Sequence, residues 1–246
     1  MIRRQSVLWA TLLLLASVCG GWIWARDNSL RDRLLAADPD DLPRDRELMA
    51  YALPKGERGY RAHCRQCHGE ELRGSSMKGI PSLVDSDWLY GSGRVIQIER
   101  VVLYGIRSGL PKSWNLADMP AFASSEPYKR YKIKPLAPSE VSDVAAYLLS
   151  FRDKGQDPHA VERGSAVFHD PERGQCFDCH STDARGDHAI GAPDLTDAVW
   201  LYGNGSRGDI EHSIEVGRAG ICPGWTTQLP PEQIRAIALY VFSRRG

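Results

Sequence analysis

The chain carries one short motif twice: two cysteines separated by two residues and followed at once by a histidine. The six residues are Cys64, Cys67 and His68 in the first copy and Cys176, Cys179 and His180 in the second. In this pattern two thiols can add to the vinyl groups of a haem, and the adjacent histidine can bind its iron. Two cysteines alone would also fit a redox dithiol or half a zinc site. Because the histidine follows in both copies, the sequence predicts two covalently bound haem c groups.

The two motifs lie in segments that share further landmarks, which indicates a duplicated domain. "IPSLVDSDWLYG" follows the first motif and "APDLTDAVWLYG" follows the second. Each segment closes with apolar residues at helical spacing, after Pro138 in one case and Pro230 in the other. No stretch alternates like a strand of useful length. We therefore predict an all-α protein with two tandem cytochrome c domains, at residues 54–154 and 155–246.

The N-terminal region, residues 1–25, has the pattern of a membrane anchor. Two arginines precede the uncharged run Val7–Ala25, which as a helix would measure roughly 28 Å against a hydrocarbon core of about 30 Å. This predicts one transmembrane helix in the inner (cytoplasmic) membrane, with the haem domains in the periplasm. A cleaved signal peptide is the alternative. Residues 26–53, rich in charge, are expected to form a solvated tether.

The patterns resemble class I cytochrome c domains from Lys55 to Gly246, and most of all the dihaem subunit of cbb-type oxidases, called CcoP or FixP. The stretches ending in "WLYG", together with "GIRSG" and "VGRAG", carry the resemblance. It implies a methionine before proline as the sixth iron ligand, which assigns Met119 in "MPAF" to the first haem. The repeated aromatic residues are expected to form haem-pocket walls: Trp88, Tyr90, Trp200 and Tyr202.

Cys222 stands where the second repeat should have its methionine. Like Met119, it is followed by proline and, two residues later, by an aromatic residue. The second repeat contains no methionine, so its haem must take Cys222, His188 or His212, a water, or no sixth ligand. We predict Cys222. A thiolate stabilises ferric iron, so this choice predicts a second haem of lower potential than the first.

Function follows from these cofactors. Acidic and basic residues balance at 31 each, so charge gives no sign of a nucleic-acid partner. The resemblance implies a membrane-anchored respiratory carrier that takes electrons from a quinol-oxidising complex or a soluble cytochrome and passes them to a terminal oxidase, without a substrate site of its own. The alternatives are an enzyme that oxidises a sulfur compound at the His/Cys-ligated haem, and a redox or gas sensor.

Two arginines and one basic run each allow two interpretations from the sequence. Arg107 and Arg218 either pair with haem propionates or are surface charges. The basic run 126–134 is interpreted as a solvated loop, with docking to an acidic partner as the alternative.

Overall fold

The computed structural model describes residues 2–127 and 133–245, with side chains from Ser17 onward. The predicted all-α class is confirmed: the described residues form helices joined by loops, with isolated β-bridges and no extended strand among them. The basic run lies largely outside these residues. The helices run Ile2–Ala36 (α1), Arg46–His63 (α2), Arg65–His68 (α3), Val95–Tyr104 (α4), Pro138–Ser150 (α5), Pro158–His169 (α6), Phe177–His180 (α7), Arg207–Val216 (α8) and Pro231–Arg244 (α9).

The helices that lead into the haem motifs and close the repeats begin at recognisable capping residues. Asp45 accepts a hydrogen bond from the backbone N–H of Leu48 (3.0 Å) and so caps α2. Helix α5 begins at Pro138, where its fixed φ suits the first turn, and the Glu140 carboxylate accepts from the N–H of Ala137 (2.7 Å). Helix α9 likewise has a proline, Pro231, as its first residue.

The packing of these helices crosses the two repeats. Helix α2 of the first repeat packs against α9 of the second, while α5 packs against α6. Two glycines show how close the helices approach. A Cβ on Gly56 would lie 2.1 Å from the carbonyl oxygen of Ala236, and one on Gly164 would lie 1.9 Å from that of Asp143. Each packed unit therefore combines helices from both sequence repeats, so the joint after residue 154 falls inside a unit.

The segment 26–53 differs from the predicted solvated tether. Four of its six leucines are buried in the core to which α2 and α9 contribute: Leu30, Leu34, Leu42 and Leu48. Arg235 of α9 donates to the carbonyl oxygens of Leu34 (2.9 Å) and Ala37 (3.0 Å), where α1 ends. Most charged residues of the segment are exposed, while these four leucines face the core. A high charge count alone therefore suggested a spacer.

The predicted anchor coincides with the first part of α1. The side chains of its residues 7–16 lie outside the described part of the chain, and Val18, Trp22, Ile23 and Trp24 are exposed. Within the described residues, no helix has the length and apolar character needed to cross a membrane.

Candidate haem sites

The first motif begins where α2 ends. Cys64 is the C-terminal cap of α2, and the short helix α3 carries Cys67 and His68. The Nδ1 of His68 lies 3.1 Å from the carbonyl oxygen of Pro81. A carbonyl only accepts, so Nδ1 must carry the proton, which leaves Nε2 free to bind a metal. Burial lowers the pKa of His68, which favours the neutral imidazole that ligation needs.

The second motif repeats this geometry. His180, at the end of α7, is buried, and its Nδ1 lies 3.1 Å from the carbonyl oxygen of Pro193. Burial also lowers the pKa of His180. Pro81 and Pro193 were not among the residues predicted from the sequence to serve the haems. Their signal was the equal separation of Pro81 and Pro193 from the motif histidines, 13 residues in both cases.

One continuous cavity of about 620 Å³ connects the two motifs. All twelve predicted site residues line it: Cys64, Cys67, His68, Trp88, Tyr90, Met119, Cys176, Cys179, His180, Trp200, Tyr202 and Cys222. Among the described residues that form its lining, the alternative ligands His188 and His212 do not occur. The Nε1 of Trp200 is buried without a hydrogen-bond partner in the described part of the chain. A haem propionate is an acceptor that could satisfy this N–H, so the cavity fits the implied cofactor.

Cys222 lies beside the first motif. Its backbone N–H donates to the carbonyl oxygen of Ile106, and the N–H of Ile106 donates back, both at 2.9 Å. Ile106 directly follows Gly105 at the end of α4, in the first repeat. Burial raises the pKa of the Cys222 thiol to about 11, and the nearby Cys67 adds to this shift. Cys222 in turn contributes to the raised pKa of Cys64.

Met119 lies beside the second motif in the mirrored arrangement. Its backbone N–H donates to the carbonyl oxygen of Arg218 (2.9 Å), and the N–H of Arg218 donates back (3.2 Å). Arg218 follows the end of α8, in the second repeat. The Met119 side chain packs against the same hydrophobic cluster as Cys176 and Trp200.

The loops lie differently from the pairing expected from sequence. Met119 was assigned to the first haem and Cys222 to the second, but each loop crosses to the other motif. The physical reason is the exchange of helices: α9 packs on α2 and α4, and it brings the Cys222 loop with it. Because the repeats are similar, pairing within a repeat and pairing between repeats satisfy the same sequence pattern.

Two attachment motifs, two carbonyl-oriented histidines and one shared cavity define the class of protein. The chain is a dihaem c-type cytochrome. A family model described as cytochrome c oxidase, cbb3-type, subunit III, matches residues 52–148 and 159–241, one match in each repeat. The chain belongs to this family.

Named relatives agree with the family match over most of the chain. The cbb3-type cytochrome c oxidase subunit CcoP of Rhodobacter capsulatus is 36% identical over 228 residues, which cover 89% of this chain and 71% of the relative. The subunit FixP of a Bradyrhizobium species is 38% identical over 217 residues, covering 87% and 68%. CcoP of Cereibacter sphaeroides is 32% identical over 218 residues, covering 89% and 70%.

Proposed function

We propose that the chain carries electrons to the catalytic core of a cbb3-type cytochrome c oxidase as its dihaem subunit. One observation carries this proposal. Two histidines, each oriented by a proline carbonyl, open onto a single continuous cavity, so two haems bound there would lie close enough to exchange electrons. The relatives named CcoP and FixP are subunits of such oxidases.

The residues divide into attachment, proximal and distal roles. Four cysteines would hold the two haems through thioether bonds: Cys64, Cys67, Cys176 and Cys179. His68 and His180 are the proximal ligands, and the bond from each Nδ1 to a carbonyl fixes the tautomer and the ring orientation. When bound, haem supplies a one-electron change at its iron. The remaining work of the chain is to orient the haem and to exclude water.

The distal ligands follow the exchanged loops. Cys222 serves the haem of the first motif, and Met119 serves the haem of the second. A neutral thioether favours ferrous iron, whereas an anionic thiolate favours ferric iron. The first haem is therefore the low-potential site and the second the high-potential site, the reverse of the order expected from sequence.

The proposal also includes the membrane topology and the redox partners of the chain. The run Val7–Ala25 anchors the chain in the inner membrane, with the haem units in the periplasm. A quinol-oxidising complex or a soluble cytochrome donates the electrons. Met119 would hold the haem of higher potential, and electrons would leave from that site for the oxidase.

The test is oxygen consumption by membranes supplied with quinol. A strain that lacks the chain is complemented with wild-type protein, with Cys64→Ser/Cys67→Ser, or with Cys19→Ser as a control distant from the motifs. Wild type and the control are expected to restore respiration through the oxidase, and the double variant is not. Undiminished respiration in the deletion strain would contradict the proposal. Reduction of the purified protein's haems by thiosulfate, without quinol, would favour the sulfur-compound alternative.

A further inference from the structure

Arg107 contacts the backbone of both distal loops at once. Its Nε donates to the carbonyl oxygen of Gly220 (2.7 Å), and its Nη1 donates to that of Ala117 (2.9 Å). Gly220 precedes Cys222 by two residues, and Ala117 precedes Met119 by two. A single guanidinium therefore joins the two loops that carry the proposed sixth ligands.

The backbone around Arg107 is arranged for this contact. Its φ of 48° lies in the left-handed region, which is unfavourable for a residue with a long side chain. Its N–H donates to the carbonyl oxygen of Trp114 (3.0 Å), which holds the chain in this conformation. Neither sequence interpretation of Arg107 anticipated this position, since two of its N–H groups are directed at main-chain carbonyls.

The side chain of Arg218, an arginine of the second repeat, does not join the two distal loops. Its Nε and Nη2 both donate to the Ser213 hydroxyl, at 3.1 and 2.9 Å, and its guanidinium stacks on the Tyr202 ring at 4.2 Å. These side-chain contacts stay within the second repeat. The two arginines are therefore not equivalent: Arg218 directly follows Gly217 at the end of α8, whereas Arg107 comes two residues after Gly105 at the end of α4.

We propose that Arg107 is a shared positioning residue that holds the sixth ligands of both haems in place. The inference rests on the ligand assignment proposed above. The planar guanidinium presents N–H groups in a fixed fork, so it can satisfy two carbonyls in one conformation. When it is removed, both loops lose a charge-assisted hydrogen bond beside the ligand, and both ligands yield more readily to a competitor.

The experiment is a titration of the oxidised full-length protein with imidazole, which competes for the sixth position of each haem. Loss of the methionine charge-transfer band reports on one haem, and loss of the thiolate signal in electron paramagnetic resonance reports on the other. Arg107→Asn suits the left-handed backbone but cannot reach both carbonyls. We expect its imidazole affinity to rise roughly tenfold at both haems, because each loop loses a bond to a charged donor.

Two further variants test whether the effect is specific to the Arg107 guanidinium. Arg107→Lys keeps one mobile donor and is expected to give a smaller rise. Arg73→Gln is the control at an exposed arginine outside the cavity, and it should leave both affinities within about twofold of wild type. Haem content of two per chain confirms that each variant is assembled. If wild type lacks either ligand signal, the ligand assignment fails. If wild type has both signals and Arg107→Asn changes the affinity at only one haem or at neither, the positioning role fails.

Discussion

Cys222 and Ile106, which belong to different repeats, exchange two backbone hydrogen bonds of 2.9 Å. Met119 of the first repeat and Arg218 of the second also exchange two backbone hydrogen bonds, of 2.9 and 3.2 Å. In both cases a loop with a candidate sixth ligand is joined to the end of a helix that follows the other haem motif. The two haem units are therefore interlocked, and changing one motif should affect the ligand loop of the other repeat.

The exchange predicts which ligand signal disappears with which haem. Replacing the first attachment pair, Cys64→Ser/Cys67→Ser, should abolish the thiolate signal of Cys222 and leave the methionine charge-transfer band. Replacing the second pair, Cys176→Ser/Cys179→Ser, should do the opposite. Electron paramagnetic resonance and visible spectra of the oxidised single-haem proteins measure both. The reverse pattern would show that each ligand serves the haem of its own repeat.

The difference in ligand type predicts two separate reduction potentials. Cys222→Met should raise the lower potential by on the order of 100 mV, a fraction of the roughly 0.8 V range over which axial ligands tune haem. The higher potential should change little. A spectroscopic redox titration measures both, with Cys19→Ser as the control for loss of a thiol. Two potentials that match those of wild type would mean that Cys222 does not bind iron.

The glycines at the helix crossings predict a stability effect. Gly56→Ala should force α2 away from α9, because its Cβ would lie 2.1 Å from a backbone oxygen. We expect a loss of about 1–3 kcal/mol in the free energy of unfolding. Gly208→Ala is the matched control, since Gly208 lies in α8 with nothing within 4 Å of the added Cβ. That change should be neutral or stabilising by up to about 1 kcal/mol. Urea unfolding followed by circular dichroism compares them.

Much of the site could be predicted because its chemistry is local. The spacing of Cys64, Cys67 and His68 within one short segment is a local property, and so are the proline starts of α5 and α9. The pairing of the repeats is a long-range property. Nothing near Met119 in sequence distinguishes the end of α8 from the end of α4 as its partner. The role of Arg107 was hidden for the same reason, because its acceptor Gly220 lies 113 residues away.

The ion pair of Glu140 and Arg173 predicts a pH dependence of stability. Glu140 lies in the first turn of α5, and Arg173 follows α6; its Nε donates to Glu140 at 3.1 Å. The hydrogen bond from Arg173, together with that from the Ala137 N–H, lowers the pKa of Glu140 in the folded protein. Its contribution is therefore fully present above the ordinary glutamate pKa of about 4.3 and is lost as the pH falls through the lower folded value.

Glu140→Gln should consequently lower the free energy of unfolding near neutral pH. It should also make that free energy fall less as the pH is lowered, since the amide has no proton to gain. The measurement is urea unfolding of wild type and variant at about pH 7 and about pH 3, above and below the ordinary glutamate pKa. Glu71→Gln is the control, because that side chain is 78% exposed and its pair with Arg73 is a surface contact. An equal acid-induced loss of stability in wild type and Glu140→Gln would show that this pair does not hold α5 to the segment after α6.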